Sequence, residues 1–537
     1  MLLCAAFVTA GSIAAREVHA RVLAAAATQL ASGTGQQPVA LKRSSGTHRV
    51  PNGATYADAG RRVDLSEMRN VLEVNVDAGV CVVEPFCSME ALVQCTLSHG
   101  LLPKVVPEFR AITVGGAVMG GAMESSSHRH GMFHDTLASA ECLLADGTVV
   151  TCSRDERPEL FRSLGGSYGT LCMLTSATIE CVPSAPRVRL RFRWFGNVRK
   201  GLSALVESAE AAHEADEAQP SRFIDGVVLS PPRTRRVGYL LVEGILEDDD
   251  ADADAGAQIT AGSQPWSEWY YEYLLRLSDT LSDGAAAGGE DGSVGHAGGW
   301  MRVEDYLFRF DRGAFNMGTG GDEWMSSWTD FIHPTKLPLY VATNNNPVSR
   351  ALLRWPFTTE RSYAGLHLAP PEAIASQLVF QDCFSPASDV AACVEYLREI
   401  TRDHKPAASC PIWTWPVRGT DGLLAPNGHK PGELLVNLGV YTRCADGSAA
   451  DVTRALEAWL VAHDGRKLLY SNTYFVGGGL WAVAGYDGDR YDALRDEYDA
   501  AGRLPRLEAK VISKERTVRE GGLDPLAWSL AFARYLM

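Results

Sequence analysis

The clearest apolar and polar pattern near the start of the chain runs from Val71 to Pro85, where two short apolar runs are separated by Asp77-Ala78-Gly79. This break predicts two strands joined by a tight turn. A helix is predicted next, capped by Ser88 and ended by Gly100, because apolar residues return at spacings of three and four. These positions are Met89, Leu92, Val93, Thr96 and Leu97.

A hairpin is predicted at residues 139–153, SAECLLADGTVVTCS, with a type I′ turn at Asp146-Gly147. An alternating strand follows and ends near Pro183, which closes a first α+β unit. From residue 188 onwards, apolar residues alternate with arginines and predict a strand with one buried and one strongly basic face. That strand opens a second unit. Its apolar positions are Val188, Leu190, Phe192 and Trp194.

The second unit is also predicted to be α+β. Helical spacing appears at residues 390–400 and 452–460, with the strand-like stretch ELLVNLGVY between the two helices and KLLYSNTYF after the second. A last helix places Tyr491, Leu494 and Tyr498 on one face and stops at Gly502. The acidic or small-residue tracts at 246–256 and 283–299 are interpreted as loop insertions, because they cannot bury enough apolar area to offset their ordering entropy.

Composition indicates an ordinary globular protein, with 46% hydrophobic and 21% charged residues. The net charge of -15 and the lack of a basic stripe argue against nucleic-acid binding. Twelve cysteines occur without a CxxC pair or zinc-like spacing, so we expect no metal site and no disulfide framework, and a reducing compartment. The apolar residues before Arg16 are too few for a membrane span and lack a signal peptide's basic start. They predict either a buried or interfacial helix or the remnant of an anchor.

Residues 110–131, RAITVGGAVMGGAMESSSHRHG, combine bare backbone with hydroxyl groups. Glycines let backbone N–H groups approach an anion, and serines add donors, so one interpretation is a phosphate-binding loop. The stretch contains neither a Walker motif nor the GxGxxG fingerprint. The other interpretation is a glycine-rich turn packed between strands. Glycine content alone does not separate the two.

Ordered blocks over residues 40 to 515 resemble a known family. VPEFRAITVGGAVMGGAMESSSHRHGMF, AECLLADGTVVTCS and ELFRSLGGSYGTLCMLTSATIECVP resemble the FAD-binding (PCMH) domain of the vanillyl-alcohol-oxidase type, and more closely that of the Δ24-sterol reductase (Diminuto/seladin) family. VFQDCFSP, CPIWTWPVR and GELLVNLGVYTR resemble later blocks of that family. The resemblance implies an α+β fold with a two-part FAD-binding domain and an α+β substrate or cap domain.

The implied domain limits are an N-terminal apolar segment at 1–30, the FAD-binding domain at 31–185, the cap at 186–465 and a completing segment at 466–537. The family's FAD contacts carry over to two groups of residues. The first pyrophosphate loop would be Lys42, Arg43, Ser44, Ser45 and Thr47, although Lys42 and Arg43 also fit a solvated pair. The flavin cradle would be Thr113, Val114, Gly115, Gly116, Gly120, Gly121, Glu124, Ser125, Gly169, Thr170 and Ile179.

The resemblance also implies the reaction, which is reduction of a sterol side-chain double bond by FAD, reloaded by NADPH. That double bond is unactivated, so the site needs an acid on one face and the flavin on the other. Candidate acids are Tyr441 and Tyr474, which also fit as packing residues. Trp413 and Trp415 either wall a sterol pocket or fill the core. His128 is expected to orient its loop rather than take part in chemistry.

FAD is expected to be noncovalent, because Arg49 follows His48 where covalent loops have a small hydroxyl residue. The chain departs from the family at Gly166, where the family usually has tryptophan, and at Cys172. Alternatives are an FAD-linked alcohol or sugar oxidase and a flavin-binding interaction protein whose catalysis has decayed. The family implies a desmosterol-like substrate and peripheral association with the endoplasmic reticulum membrane, or a cytoplasmic location if the N-terminal segment is not an anchor.

Overall fold

A computed structural model gives the architecture of the chain. It describes residues 2–32, 38–42, 48–51, 61–214, 222–231, 233–248, 256–286, 294–311, 347–352, 358–367, 371–402, 411–444, 446–475, 479–483 and 486–513.

The helices are α1 Leu2–Ala31, α2 Met89–Leu97, α3 Val114–Gly120, α4 Ser127–His130, α5 Pro158–Arg162, α6 Val198–Glu214, α7 Tyr270–Ala286, α8 Val303–Leu307, α9 Pro347–Leu352, α10 Thr359–Leu366, α11 Pro371–Gln377, α12 Val390–Ile400, α13 Ala449–Ala462, α14 Gly488–Tyr498 and α15 Leu507–Val511. The strands are β1 Val39–Leu41, β2 Arg61–Val63, β3 Val71–Asn75, β4 Val80–Val83, β5 Leu101–Pro103, β6 Leu137–Leu143, β7 Val149–Ser153, β8 Met173–Pro183, β9 Arg187–Phe195, β10 Arg222–Leu229, β11 Gly238–Glu247, β12 Val294–Arg302, β13 Leu378–Pro386, β14 Ile412–Arg418, β15 Leu434–Arg443 and β16 Arg466–Lys467.

The first large sheet has the antiparallel order β3-β4-β8-β6-β7, and β5 pairs with β8. The predicted β3–β4 pair and helix α2 are confirmed. The Ser88 hydroxyl accepts the Ala91 N–H at 3.2 Å, which satisfies one donor at the start of the helix. Beyond the helix end, Gly100 has a φ of +72°, as a residue that ends a helix often does. A separate parallel pair joins β1 to β2.

The hairpin β6–β7 is confirmed, but its predicted type I′ turn is wrong. That turn needs positive φ at both central residues, and Asp146 is not among the residues with positive φ. The Gly147 N–H instead donates to the Leu144 carbonyl at 3.1 Å, and the Leu144 N–H donates to the Thr148 carbonyl at 2.8 Å. Gly147, with a φ of +96°, is the bulge glycine of a three-residue loop.

The second large sheet has the order β12-β9-β11-β10-β14-β15-β13-β16 and is antiparallel throughout. The side chains of each strand alternate between two faces of the sheet. One face packs against α6, α12 and α13, and it includes Leu434, Val436 and Leu438 of β15. We call the opposite face the inner face, because its residues share one core with the first sheet.

Two predicted loops are corrected by this sheet. Residues 294–299, within the insertion predicted at 283–299, form part of β12 and pair with β9. Residues 283–286 complete α7, and 287–293 lie outside the described residues. Glycines form this strand because there is no room for side chains: a Cβ on Gly299 would lie 2.8 Å from the Ala257 carbonyl oxygen. In the insertion predicted at 246–256, Leu246 and Glu247 end β11, and 249–255 lie outside the described residues.

Helix α1 packs on the first sheet through its second half. Val22, Ala26 and Leu30 are buried there, and His19 lies between two carboxylates. The His19 Nδ1 lies 2.9 Å from Glu84 Oε1, and its Nε2 lies 3.1 Å from Glu141 Oε1. Of the helices in the described part of the chain, none combines the length and apolarity that crossing a bilayer requires.

The His19 contacts predict that docking of α1 depends on pH. The hydrogen bonds that His19 donates to Glu141 and then to Glu84 raise its pKa from 6.5 to about 9. A raised folded-state pKa gives stability that is fully present below pH 6.5 and is lost as the pH rises through about 9. We expect His19→Ala to lower the free energy of unfolding by about 1–3 kcal/mol at neutral pH. Urea unfolding measures this, and a difference from wild type that persists undiminished at about pH 10 would refute the explanation.

Candidate functional site

The inner face of the second sheet carries an unusual set of large and polar side chains. Strand alternation places Phe380, Asp382 and Phe384 of β13 on this face, while Val379 and Cys383 face the helices. The same alternation applies to the neighbouring strands. Their inner-face residues include Asp225 of β10, Trp413 and Trp415 of β14, and Asn437 and Tyr441 of β15. The two indole rings are stacked, with centroids 6.2 Å apart.

The TVGG residues of the glycine stretch, 113–116, form hydrogen bonds and close contacts with nearby residues of the first unit. Thr113 caps α3, and its hydroxyl accepts the Gly116 N–H at 3.2 Å. The N–H groups of Val114 and Gly115 donate to the Cys87 and Pro85 carbonyls at 2.9 and 2.8 Å. A Cβ on Gly115 would lie 2.9 Å from the Pro85 Cβ. These contacts are those of a packed turn, so the role of these four residues toward FAD stays a prediction.

The backbone at the end of α3 also keeps accessible surface, as that of Gly115 and Gly116 does at its start. Gly121 has a φ of +81°, and a Cβ on it would lie 2.7 Å from Leu468 Cδ2 beside the second sheet. The loop with Gly169 lies next to it, since the Tyr168 N–H donates to the Met119 carbonyl at 2.9 Å. Gly120, Gly121 and Gly169 are all partly accessible. The structure therefore brings together these three predicted contacts at the edge that faces the second sheet.

Glu124 and Ser125, also predicted as FAD contacts, are buried between the two sheets. Arg309 Nη2 lies 2.7 Å from both Glu124 Oε1 and Asp225 Oδ2, and the arginine has no exposed surface. The guanidinium lies over the Tyr306 ring, 4.1 Å from its centroid. Burial raises the pKa of Asp225 to about 7 and also raises that of Glu124. The ESSSH motif thus supplies one arm of an ionic cluster that joins the two sheets.

His128 of the same motif behaves as expected of a loop-orienting residue. Its Nδ1 lies 2.9 Å from the Ser125 carbonyl, and burial lowers its pKa to about 3, so the ring is neutral. Arg418 of β14 donates to the His128 carbonyl at 3.2 Å and to Glu210 of α6 at 2.9 Å. Helix α4 is in this way held against the second sheet.

The remaining predicted contacts are less accessible or lie elsewhere. Thr170 and Ile179 are fully buried, and the Thr170 hydroxyl donates to the Ser167 carbonyl at 2.8 Å. Lys42 lies on the surface, with its Nζ 2.6 Å from Asp64 Oδ2. The role of Lys42 toward FAD stays a prediction. Its predicted partners Arg43, Ser44, Ser45 and Thr47 lie outside the described residues.

His48 lies inside the protein between two aromatic rings. Its centroid is 5.5 Å from Phe109 and 5.1 Å from Tyr363, and burial lowers its pKa to about 4. Its Nε2 is buried and has no hydrogen-bond partner among the described residues. A buried nitrogen of this kind is normally satisfied, so it indicates room for a polar group of a bound molecule.

Two carboxyl groups that the sequence analysis missed lie in the same region. Asp382 is buried on the inner face, and the Tyr441 hydroxyl donates to its Oδ2 at 3.4 Å. Burial raises the pKa of Asp382 to about 6, although the Tyr441 and Tyr470 hydroxyls favour its ionised form. Desolvation raises the pKa of Glu108 to about 8, while its side chain keeps some accessible surface. The available signal for Asp382 was an acidic residue in the middle of an otherwise nonacidic, fully buried strand.

The two predicted tyrosines have different surroundings. Tyr441 is buried on the inner face and contacts Phe380 edge to face, with ring centroids 5.7 Å apart. The Tyr474 N–H donates to Glu457 of α13 at 3.0 Å, and Arg454 of that helix lies 4.5 Å from its ring centroid. Tyr474 is therefore held against a helix of the opposite face. The structure does not bring it together with Tyr441.

Comparison with known proteins identifies a domain family and several relatives of this chain. Residues 24–153 match the family described as FAD binding domain. The chain is 25% identical to the Delta(24)-sterol reductases of Rattus norvegicus and Homo sapiens over 460 residues, which are 84% of this chain and 78% of each relative. It is 24% identical to that of Arabidopsis thaliana over 487 residues, 85% of this chain and 78% of the relative. The chain thus carries an FAD-binding domain, and the relatives indicate an FAD-dependent oxidoreductase.

Proposed function

We propose that this protein reduces the Δ24 side-chain double bond of sterols, with noncovalent FAD as cofactor and NADPH as electron donor. One observation carries the proposal. The bare backbone edge of the FAD-binding domain, at Gly120, Gly121 and Gly169, lies opposite an apolar and aromatic sheet face that holds a buried acid. This arrangement suits a flat cofactor on one side and an apolar substrate with a proton source on the other.

The described residues fit FAD on the first side. Gly121 lets the backbone at the end of α3 approach Leu468 closely, because a Cβ would come within 2.7 Å of that side chain, and Gly120, Gly121 and Gly169 keep accessible backbone beside it. The unpartnered Nε2 of His48 offers a hydrogen bond to a bound polar group. We propose that these groups hold the flavin end, and that the loop with Arg43, Ser44, Ser45 and Thr47 holds the pyrophosphate. When bound, FAD supplies two-electron chemistry.

The second side fits a sterol side chain. Pockets for small ligands are mostly apolar, with a few placed polar groups. Phe380, Trp413 and Trp415 give the inner face its apolar area, and all three are buried. Resemblance to the sterol reductases favours a sterol over other apolar substrates.

The proposed reaction requires this chain to supply a proton donor. An isolated double bond carries no group to absorb the negative charge that hydride addition would create, so proton transfer must accompany it. We retain Tyr441 as a residue of the proton-donating site, since it is on the inner face. Burial holds the pKa of its hydroxyl well above the ordinary value, so the phenol alone is a poor acid. Its hydrogen bond to Asp382 makes it a positioning residue.

The test is to mix the purified protein anaerobically with NADPH and then with desmosterol. The proposal expects a flavin spectrum that NADPH bleaches and the sterol restores. Bleaching by an alcohol, followed by release of peroxide when oxygen is admitted, would favour an oxidase instead. Protein that binds no flavin would contradict both enzyme activities.

We also propose that the protein associates peripherally with the endoplasmic reticulum membrane. The support is its resemblance to the sterol reductases and the poor solubility of the substrate in water. Fractionation of cells, with washes at high salt and at alkaline pH, distinguishes peripheral attachment from none.

A further inference from the structure

A glycine interrupts the inner face between an acid and an indole. Gly439 of β15 pairs with Asp382 of β13 on one side and with Trp413 of β14 on the other. A Cβ on this glycine would lie 3.3 Å from Asp382 Oδ1 and 3.3 Å from the Trp413 Cβ, and 3.2 Å from the Tyr441 ring. These groups close around the position that a side chain would occupy, so the glycine lets the Asp382 carboxyl, the Tyr441 ring and Trp413 come together on one face.

Asp382 differs from the other buried carboxyl groups in its partners. Glu124 and Asp225 contact Arg309, and Glu457 contacts Lys467 at 2.8 Å. Among the residues that the structure describes, Asp382 has no ion pair with an arginine or lysine, and its polar neighbours are phenols. A buried carboxyl held only by hydroxyl groups is free to gain and lose a proton, because no fixed cation stabilises its ionised form.

The groups that influence Asp382 come from several elements. Tyr441 lies on β15, Tyr470 follows β16, Tyr363 lies on α10, and Tyr168 and Glu108 belong to the FAD-binding side. The pKa values of about 6 for Asp382 and about 8 for Glu108 keep a proton available near neutral pH. Glu108 is the second acid of this site and faces Asp382 from the opposite domain.

We propose that Asp382, positioned by Tyr441 on the inner face, is the catalytic residue that protonates the substrate double bond. This inference rests on the proposed function. The O–H bond of the Asp382 carboxyl breaks, and the π electrons form a C–H bond at the less substituted carbon. The neighbouring tertiary carbon becomes electron-deficient and accepts a hydride, for which NADPH is the reductant by way of FAD. The Asp382 carboxylate then regains a proton from solvent.

The experiment separates the two half-reactions in Asp382→Asn, with Asp389→Asn as the matched control. Asp389 follows the end of the same strand and makes no capping hydrogen bond. We expect both variants to bind FAD and to be bleached by NADPH as wild type is. Desmosterol-dependent recovery of the flavin spectrum should fall by about 100-fold or more in Asp382→Asn alone, as loss of a general acid predicts. Recovery within about threefold of wild type would overturn the assignment.

Two further readouts do not depend on that variant's activity. In wild type, sterol-dependent recovery should slow as the pH rises above about 6, and Asp382→Glu should regain part of the lost rate. Infrared difference spectra of a pH titration should show a protonated carboxyl band that Asp382→Asn lacks. A pH-independent rate, or a band unchanged in the variant, would overturn the assignment. Failure of the proposed function looks different, because desmosterol would then not reoxidise even the wild-type flavin.

Discussion

Replacement of Arg309 by leucine is expected to lower the free energy of unfolding by about 3–5 kcal/mol, because it leaves two buried carboxylates without their cation. Arg309 has no exposed surface and lies 2.7 Å from both Glu124 and Asp225. Since Glu124 belongs to the FAD-binding domain and Asp225 to the second sheet, we also expect loss of bound FAD. Urea unfolding and the flavin content of the purified variant measure the two effects.

The loss of unfolding free energy in Arg309→Leu should become smaller as the pH falls. Burial raises the pKa of Asp225 to about 7, so acidification protonates it in the variant and removes the need for a cation. The destabilisation should therefore shrink between about pH 8 and about pH 5. Arg276→Leu is the matched control: this exposed arginine pairs with Glu268 at 2.8 Å, and its removal should cost less than about 1 kcal/mol. Equal losses in the two variants would show that the cluster does not hold the sheets together.

Replacement of Gly166 by alanine is expected to cost about 2–5 kcal/mol, from two additive causes. Gly166 has a φ of +76°, which costs an L-residue about 1–2 kcal/mol. A Cβ there would also lie 2.2 Å from the Leu424 carbonyl oxygen, which is backbone and cannot turn aside, so overpacking adds about 1–3 kcal/mol. Thermal unfolding measures the total. A side chain at this position would require the backbone at Leu424 to lie elsewhere.

Gly447→Ala separates the two causes. Gly447 has a φ of +84°, but a Cβ on it would meet nothing within 4 Å. This variant should lose only the conformational part, about 1–2 kcal/mol. A Gly166→Ala protein as stable as Gly447→Ala would mean that the loops at 166 and 424 do not pack as described.

Local signals in the sequence predicted the elements that local chemistry determines. The turn between β3 and β4, the Ser88 cap of α2 and the helices α12 and α13 all follow from spacing and capping within a few residues. Strand β12 could not be predicted in this way, because Gly295, Gly298 and Gly299 carry no apolar pattern and pair only when β9 is present. KLLYSNTYF, residues 467–475, was interpreted as strand-like, yet of these residues only Lys467 lies in a strand, at the end of β16.

The residues of the candidate site also fall into those that a local sequence motif reveals and those that only the folded sheet brings together. The glycine motif identified the FAD-binding side, but it did not show that Val114 and Gly115 donate their N–H groups to Cys87 and Pro85. Asp382 was missed because a single acid inside a strand has no spacing to recognise. Its importance comes from residues such as Tyr441, 59 positions away, which contact it only in the folded sheet.

Reduction of the sterol side-chain double bond is tested most directly by the mass of the sterol after wild-type protein is incubated with FAD, NADPH and desmosterol under anaerobic conditions. We expect a sterol with a saturated side chain, heavier by two hydrogens and formed in proportion to the NADPH consumed. In deuterated water at least one of the two added atoms should be deuterium, because solvent supplies the proton through the acid. Desmosterol recovered unchanged, while NADPH still bleaches the flavin, would contradict the claim.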